Sequence, residues 1–340
     1  MLPLEKVRSG NLLEGALSTE DFDRIRRAVT AGWDQDLVNS PEGVPAVEDV
    51  VFRRHDNTVR YVIPWIESIR PLKGSQVLDF GCGCGSSSLA FSRYADRVAG
   101  FEIDTPSVAA FGERMEVAGC ENAHVFEHSP EDILDAALDR LEPGTVVLFL
   151  AVVEHLTEHE RLEYLTRFWQ EMAPGDLLVV AETPNFYAYF DGHTFGVPFA
   201  QMVPDAYFER WLEKQDPDLR FRNDLLRVFA EEGESKGLER RRRLGMGISH
   251  HVFELAFESD LRDIVVADGF CPDIVNWFPI SPDDTSLVSA FDQYEVTIPI
   301  GFARSVLSFV FKKPESSSGV KSVRDWNDKQ RSRVIQKYGR

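Results

Sequence analysis

Hydrophobic positions change rhythm twice along the chain. In roughly the first seventy residues (1–73) they recur at helical spacing, which predicts an N-terminal helical segment. Ser18-Thr19-Glu20-Asp21 reads as a helix start, followed by Phe22, Ile25, Ala28 and Val29 on one face. Asn39-Ser40-Pro41-Glu42-Gly43-Val44-Pro45 is loop chemistry. A second helix is expected through Val59, Val62, Ile63, Ile66 and Ile69, with Pro64 near its first turns and Pro71 and Gly74 ending it.

After Gly74, short apolar runs alternate with helical stretches. Strands are predicted at Gln76–Phe80, Arg97–Glu102, Ala123–Glu127, Thr145–Leu150 and Leu177–Ala181. Helices are predicted at Ser86–Tyr94, Pro106–Ala118, Pro130–Leu141 and Glu158–Met172. Strands without in-and-out alternation, separated by helices, point to a mostly parallel sheet covered on both faces. Residues 74–182 therefore read as one α/β core. The alternation then breaks: residues 183–251 are rich in aromatics and arginine and read as an insertion after the fifth strand. A helix at about Ser259–Asp268 and apolar runs near Ile274–Phe278 and Ser305–Phe311 resume the pattern, so 252–314 completes the core. A linker, Ser316-Ser317-Ser318-Gly319, opens a basic tail, 315–340.

Composition narrows the function classes. The 340 residues are 43% hydrophobic and 27% charged, ordinary for a globular protein. The longest apolar run, Val146 to Val153, is far short of the roughly 20 residues that span a bilayer. MLPLEKVRSG does not read as a signal peptide, so a cytoplasmic protein without a membrane partner is expected. The net charge of −19 argues against a nucleic-acid partner, although nine basic residues face three acidic ones from Lys312 onward. Four cysteines are too few for a disulfide scaffold, and Cys82 and Cys84 have no second pair with which to hold zinc.

The most informative stretch is Val77-Leu78-Asp79-Phe80-Gly81-Cys82-Gly83-Cys84-Gly85. A strand carrying a buried-position acid leads into a turn with glycine at every second residue, then into a helix. Glycine lets the backbone bend sharply and lets a ligand approach the main chain, and the helix start favours an electron-rich group. A dinucleotide fold would want G-x-G-x-x-G, but Ser86 occupies that third position. The next strand ends Phe101-Glu102-Ile103-Asp104, where a carboxylate can accept two strong hydrogen bonds from a diol. His128-Ser129-Pro130-Glu131-Asp132 follows the third strand, and Ala151-Val152-Val153-Glu154-His155 the fourth.

The G-x-G-x-G turn, the acidic strand end, the Glu154–His155 pair and Pro174-Gly175-Asp176-Leu177 together resemble the class I S-adenosylmethionine-dependent methyltransferases over residues 75–182. The resemblance implies a Rossmann-like, doubly wound, seven-stranded sheet. It implies that the cofactor, S-adenosyl-L-methionine, is bound by Asp79, Gly81, Cys82, Gly83, Gly85, Glu102, Ile103, Ser129, Glu131, Asp132 and Ala151. By position Glu102 would hold the ribose, and Ser129 or Glu131 the adenine edge. Ubiquinone-type and small-RNA methyltransferases carry a related E-x-x-E-H segment able to hold a divalent ion. Here Ala151 replaces the first acid, and no metal is assigned.

Histidine suits general-base work at neutral pH. His155, Glu154 and His193, the last in Asp191-Gly192-His193-Thr194, are the catalytic candidates, and His55, His250 and His251 are further histidines of interest. The insertion reads as a substrate cap whose polar groups and aromatics suit a pocket or a self-packed lid equally. Glu239-Arg240-Arg241-Arg242-Arg243 reads as a solvated helix face, or as a dock for an anionic acceptor. The expected activity is methylation of a small-molecule or glycan-linked acceptor, on oxygen more than on nitrogen. A cofactor-binding scaffold without catalysis and a nicotinamide oxidoreductase are the alternatives.

Overall fold

The structure is a computed structural model and describes residues 17–33, 35–40 and 43–315. The N-terminal leader and the basic tail from 316 lie outside them. Seven strands form one mixed sheet: β1 (Gln76–Phe80), β2 (Arg97–Glu102), β3 (Ala123–Glu127), β4 (Thr145–Leu150), β5 (Leu177–Pro184), β6 (Val265–Asp268) and β7 (Val306–Lys312). Their order is β3-β2-β1-β4-β5-β7-β6. The β1–β2, β1–β4 and β2–β3 pairs are parallel, and β6–β7 is antiparallel with a bulge between Val265 and Ala267. Every residue of β1 is buried, which is why its sequence shows no alternation.

The described residues fall into two compact units. The first comprises residues up to Leu150 together with Glu171–Val179 and Cys271–Trp277. The second comprises Ala151–Gln170, Val180–Phe270 and the chain from Phe278 onward.

In the first unit, the helix Thr19–Val29 starts at an N-cap, Ser18, whose hydroxyl accepts from the Asp21 amide at 3.1 Å. The second N-terminal helix begins earlier than its apolar spacing suggests. It runs unbroken through Asp49–Arg53, Arg54–Asn57, Thr58–Val62 and Ile63–Glu67, with the first and third stretches π-helical. Pro64 therefore falls in the last turns, not the first. The π-helical stretch Thr58–Val62 directly before it shifts the hydrogen-bond ladder where proline cannot donate. Asp176, in the turn before β5, accepts from the Gly144 amide at 2.7 Å and the Ala173 amide at 2.8 Å, a role glycine could not fill.

In the second unit, the segment between β5 and β6 carries the helices Asp205–Glu213, Arg222–Glu232, Glu234–Arg243 and His250–Phe257. It has a small core of its own, built on Phe195, Ala200, Phe208, Leu212, Leu225 and Phe229. One expectation fails here: Ser259–Asp268 is not one helix, because a single turn, Leu261–Ile264, gives way to β6. No helix among the described residues is long and apolar enough to cross a membrane.

Candidate active site

The glycine turn of the first unit is built from backbone. Gly81, Gly83 and Gly85 have φ of 71°, 52° and 78°, the left-handed region that L side chains resist. A Cβ on Gly85 would also lie 2.5 Å from the Phe111 ring. The amides of Gly81 and Cys82 donate to the Phe101 carbonyl at 2.9 and 3.1 Å, which ties the turn to β2. Asp79 is buried, and its Oδ2 accepts from Ser87 and Ser88, each at 2.6 Å. Burial pushes its carboxyl up to about 6, against the pull of those two hydroxyls. Burial likewise pushes the Cys82 thiol up, so it is an inert packing group.

Glu102 closes this cradle. Its Oε2 accepts from Gly83 N at 2.8 Å, and its Oε1 from Ile103 N at 2.8 Å and Asp104 N at 3.0 Å. Three backbone amides thus fix the carboxylate beside the turn. Ile103 is 49% exposed, an apolar side chain left uncovered beside the acid. Ser129, Glu131 and Asp132 stand exposed after β3, with the Ser129 hydroxyl donating to Asp132 at 2.9 Å. Asp104 caps the helix Thr105–Val117 through the Ser107 amide at 2.9 Å.

One support of the turn has no signal in the sequence. Arg114 is fully buried and donates to the carbonyls of Cys84 (2.8 Å), Val51 (2.6 Å) and Val50 (2.9 Å). It staples the glycine turn to the N-terminal helical run. His55 lies in that run, fully buried and 2.9 Å from Asp56, with burial holding its pKa down.

The second unit gathers the other candidates. The chain leaves β4 through Ala151, whose φ of 54° is unusual for a residue with a side chain, and whose amide donates to Ala181 O at 2.9 Å. A 3₁₀ turn, Val153–His155, follows. Arg161 holds it, donating to the carbonyls of Val153 (2.8 Å), Glu154 (2.8 Å) and Met246 (3.0 Å). Glu154 is fully buried, and Thr183 Oγ1 donates to its Oε2 at 3.0 Å. Desolvation raises its pKa to about 8.

His155 and His193 both approach Glu154. Their Nε2 atoms lie 3.9 and 3.8 Å from its Oε1, and their ring centres are 5.4 Å apart. The His155 Nδ1 faces the Arg243 carbonyl at 3.0 Å, which can only accept, so Nδ1 carries the proton. His193 Nδ1 sits 3.3 Å from Thr194 Oγ1, whose own hydrogen goes to the Gly245 carbonyl at 2.5 Å. His193 Nδ1 is therefore the donor. Each ring thus turns its Nε2 toward Glu154. Asp191 shapes the loop that delivers His193, accepting from the amides of Thr194 (2.8 Å) and Phe195 (3.1 Å). Gly245 is obligatory: a Cβ there would come 2.3 Å from His193 Cε1 and 3.2 Å from His155 Cε1.

His193 also lines a cavity of about 580 Å³, with Glu182, Phe190, Gln201, Phe278 and Asp283 among the other walls. The insertion thus does both things its aromatics allowed: Phe195 and Phe208 pack inside it, while Phe190 faces the cavity. The arginine run is only partly a solvated face. Arg240 pairs with Asp224, Arg242 with Glu158 and Asp205, and Arg243 with both oxygens of Glu160 at 2.7 Å. Arg241 is buried against Asp205 and over the Phe208 ring. Arg240 is exposed and Arg242 and Arg243 are partly so, but their guanidinium groups are engaged in ion pairs, and Arg241 alone is buried. His250 and His251 belong to a separate cluster with Glu254.

No family model matches the chain. Curated relatives do. The ubiquinone biosynthesis O-methyltransferase of Azorhizobium caulinodans is 28% identical over 142 residues, covering 42% of this chain and 51% of its own length. The tRNA (guanine-N(7)-)-methyltransferase of Shewanella pealeana is 27% identical over 179 residues, 52% of this chain and 65% of its own. The chain spans about half to two thirds of these relatives. Among solved structures, PKMT2 from Rickettsia typhi in complex with AdoHcy is 14% identical, covers 79% of this chain and 56% of its own, and has a TM-score of 0.46. The chain is thus similar, over part of its length, to several curated methyltransferases, and it carries a glycine turn, an acidic strand end and a seven-stranded α/β sheet.

Proposed function

We propose that the protein transfers the methyl group of S-adenosyl-L-methionine to an oxygen of a small-molecule or glycan-linked acceptor. The observation that carries the cofactor half is the clamp of Glu102 on the glycine turn: three amides fix a carboxylate beside a run of left-handed glycines. The carboxylate's remaining lone pairs suit the ribose diol, and the exposed Ile103 suits the face of the base. Ser129, Glu131 and Asp132 then edge the adenine.

The acceptor half is assigned to Glu154, His155 and His193. Methyl transfer forms a bond from the acceptor oxygen to the methyl carbon, breaks the sulfur–methyl bond and releases S-adenosylhomocysteine. The acceptor's proton needs a base, and imidazole lone pairs supply one at neutral pH. The 580 Å³ cavity at His193 has the size of a small-molecule site. Its carboxylates, Glu182 and Asp283, favour a neutral or cationic acceptor over a phosphorylated one. In this reading residues 74–182 are the cofactor core, 183–251 the substrate-binding insertion, and 252–314 completes the α/β fold.

Titration calorimetry with S-adenosyl-L-methionine and with S-adenosylhomocysteine tests the proposal. Binding of both by the wild type is expected, and no heat at millimolar ligand sinks it. Glu102→Ala should weaken binding by about 1–3 kcal/mol, the range for hydrogen bonds to a charged group. Binding without turnover across a panel of hydroxylated acceptors would favour the scaffold reading.

A further inference from the structure

Glu154 Oε1 has no hydrogen-bond partner, although the side chain is fully buried. Such an oxygen is costly unless something cationic meets it. Thr183 fixes the other oxygen, so Oε1 is aimed and not free to turn away. What it faces is two imidazole nitrogens at 3.8 and 3.9 Å. Those separations exceed the roughly 2.7–3.2 Å of a hydrogen bond, so a shared proton does not bridge them. They come within a few tenths of an ångström of the ~3.4 Å between donors around a four-coordinate ion with ~2.1 Å bonds.

The surroundings match what a bound ion demands of its ligands. Each ring engages a fixed acceptor through Nδ1, the Arg243 carbonyl or the Thr194 hydroxyl, and turns its Nε2 toward Glu154. Outer partners of this kind orient metal-bound histidines. Gly245 packs against both rings, which fixes their spacing.

We propose that Glu154, His155 and His193 bind a divalent first-row transition ion, with water or the acceptor completing its shell from the cavity that His193 lines. Two imidazoles and one carboxylate suit zinc, manganese or cobalt, whereas magnesium prefers oxygen ligands. His193 comes from the insertion, so it supplies the third ligand although Ala151 leaves no acid at the start of the Glu154–His155 segment. If an ion were bound, Glu154, His155 and His193 would hold it and both imidazoles would cease to be available as the base; its chemistry there would be to acidify an acceptor hydroxyl, whose proton would leave to water. That last role rests on the function proposed above; the binding of the ion does not.

A second group, His250, His251 and Glu254, provides an internal control. Its carboxylate lies 3.7 and 4.0 Å from the two rings, but Glu254 and His251 are 45% and 63% exposed, so solvent already satisfies it.

The test uses the full chain dialysed against a chelator. Zinc is titrated in competition with a chromogenic chelator, and cobalt is followed by its visible absorption bands. One equivalent of each should bind, and magnesium should not compete. Glu154→Gln and His193→Ala should each weaken zinc by at least about 100-fold, the upper end of what losing an outer partner costs. Thr194→Val, which removes only the partner of His193, should cost about 10–100-fold. His251→Ala should leave zinc affinity unchanged. Circular dichroism and cofactor calorimetry on each variant confirm folding, and Thr194→Val carries the test if the ligand variants do not fold. The proposal is overturned if the wild type binds neither zinc nor cobalt, or if binding survives His193→Ala and Glu154→Gln and disappears in His250→Ala. Cofactor binding is read separately, so failure here leaves the methyl-transfer reading standing.

Discussion

Two carboxylates at strand ends divide the chemistry of the two units. Glu102 accepts from three backbone amides and is held in place before any ligand arrives, with acceptor capacity still open. Glu154 accepts from Thr183 on one oxygen and leaves the other bare in a fully buried place. A carboxylate fixed in this way is preorganised for a neutral diol, since its position costs nothing further on binding. A half-satisfied one, aimed at two imidazole nitrogens, is preorganised for a cation. On the function proposed above, the first unit would hold a ligand by shape, whereas the second gathers groups that a charge would complete.

The largest effect should come from Arg161, which supports only the second carboxylate. Arg161→Met strands three carbonyls around the Val153–His155 turn. A loss of about 3–5 kcal/mol is expected in denaturant unfolding, as for breaking a buried charged network. Cofactor affinity should stay within twofold, measured by calorimetry under native conditions. A large loss of cofactor affinity would mean that the two sites do not act independently.

Titration separates the units next. Asp79 in the first unit is raised to about 6, chiefly by burial, and Asp268 in the second to about 7 for the same reason. Asp268 has one orphaned oxygen, whereas Asp79 has two serine hydroxyls on its Oδ2. Both native pKa values lie above the unfolded value, so the native state holds the proton more tightly. The stabilisation is complete below about pH 4 and is lost as pH rises through about 6 for Asp79 and about 7 for Asp268. The loss is of order 3 kcal/mol for Asp79 and 4 kcal/mol for Asp268. Unfolding curves from pH 4 to 8 should show the decline, and Asp79→Asn and Asp268→Asn should each remove their share. A flat profile in the wild type contradicts the burial argument.

A pair of glycines gives a matched comparison of about 2–4 kcal/mol each, from backbone strain plus overpacking. Gly85→Ala forces a side chain at φ +78° into Phe111, and Gly245→Ala forces one at φ +109° into His193. The first should abolish cofactor heat and spare zinc binding; the second should do the reverse. If both variants lose both ligands, the separation of roles fails.

The strands were legible because β1, β4 and β5 are buried along nearly all their length, and burial on both faces leaves an uninterrupted apolar run. β6 was not. Leu261-Arg262-Asp263-Ile264-Val265-Val266-Ala267-Asp268 fits a helix by composition, and only its pairing with β7, some forty residues on, makes its second half a strand. The same limit applies to the sites. The glycine turn, Glu102 and the Glu154–His155 pair are local patterns and could be read. Arg114, Thr183, Gly245 and the Arg243 carbonyl act on partners far away in sequence, so no spacing announces them. The arginine run shows the cost of reading locally: four consecutive cations look solvated until Asp224, Asp205, Glu158 and Glu160 are folded against them.

The smallest effect sharpens the comparison at the first site. Ile103 leaves about half of its side chain in water beside a carboxylate that is already held in place. Since the uncovered half is not engaged in the fold, Ile103→Ala should change unfolding stability by no more than about 0.5 kcal/mol. If a nucleoside covers that half on binding, its removal should weaken S-adenosyl-L-methionine by about 1 kcal/mol, half the value of a fully buried isoleucine. Zinc binding should not move, because no atom of Ile103 belongs to the second unit. A stability loss larger than the affinity loss would show that Ile103 is a core residue seen at its edge, and the ligand-facing surface at the end of β2 would then rest on Glu102 alone.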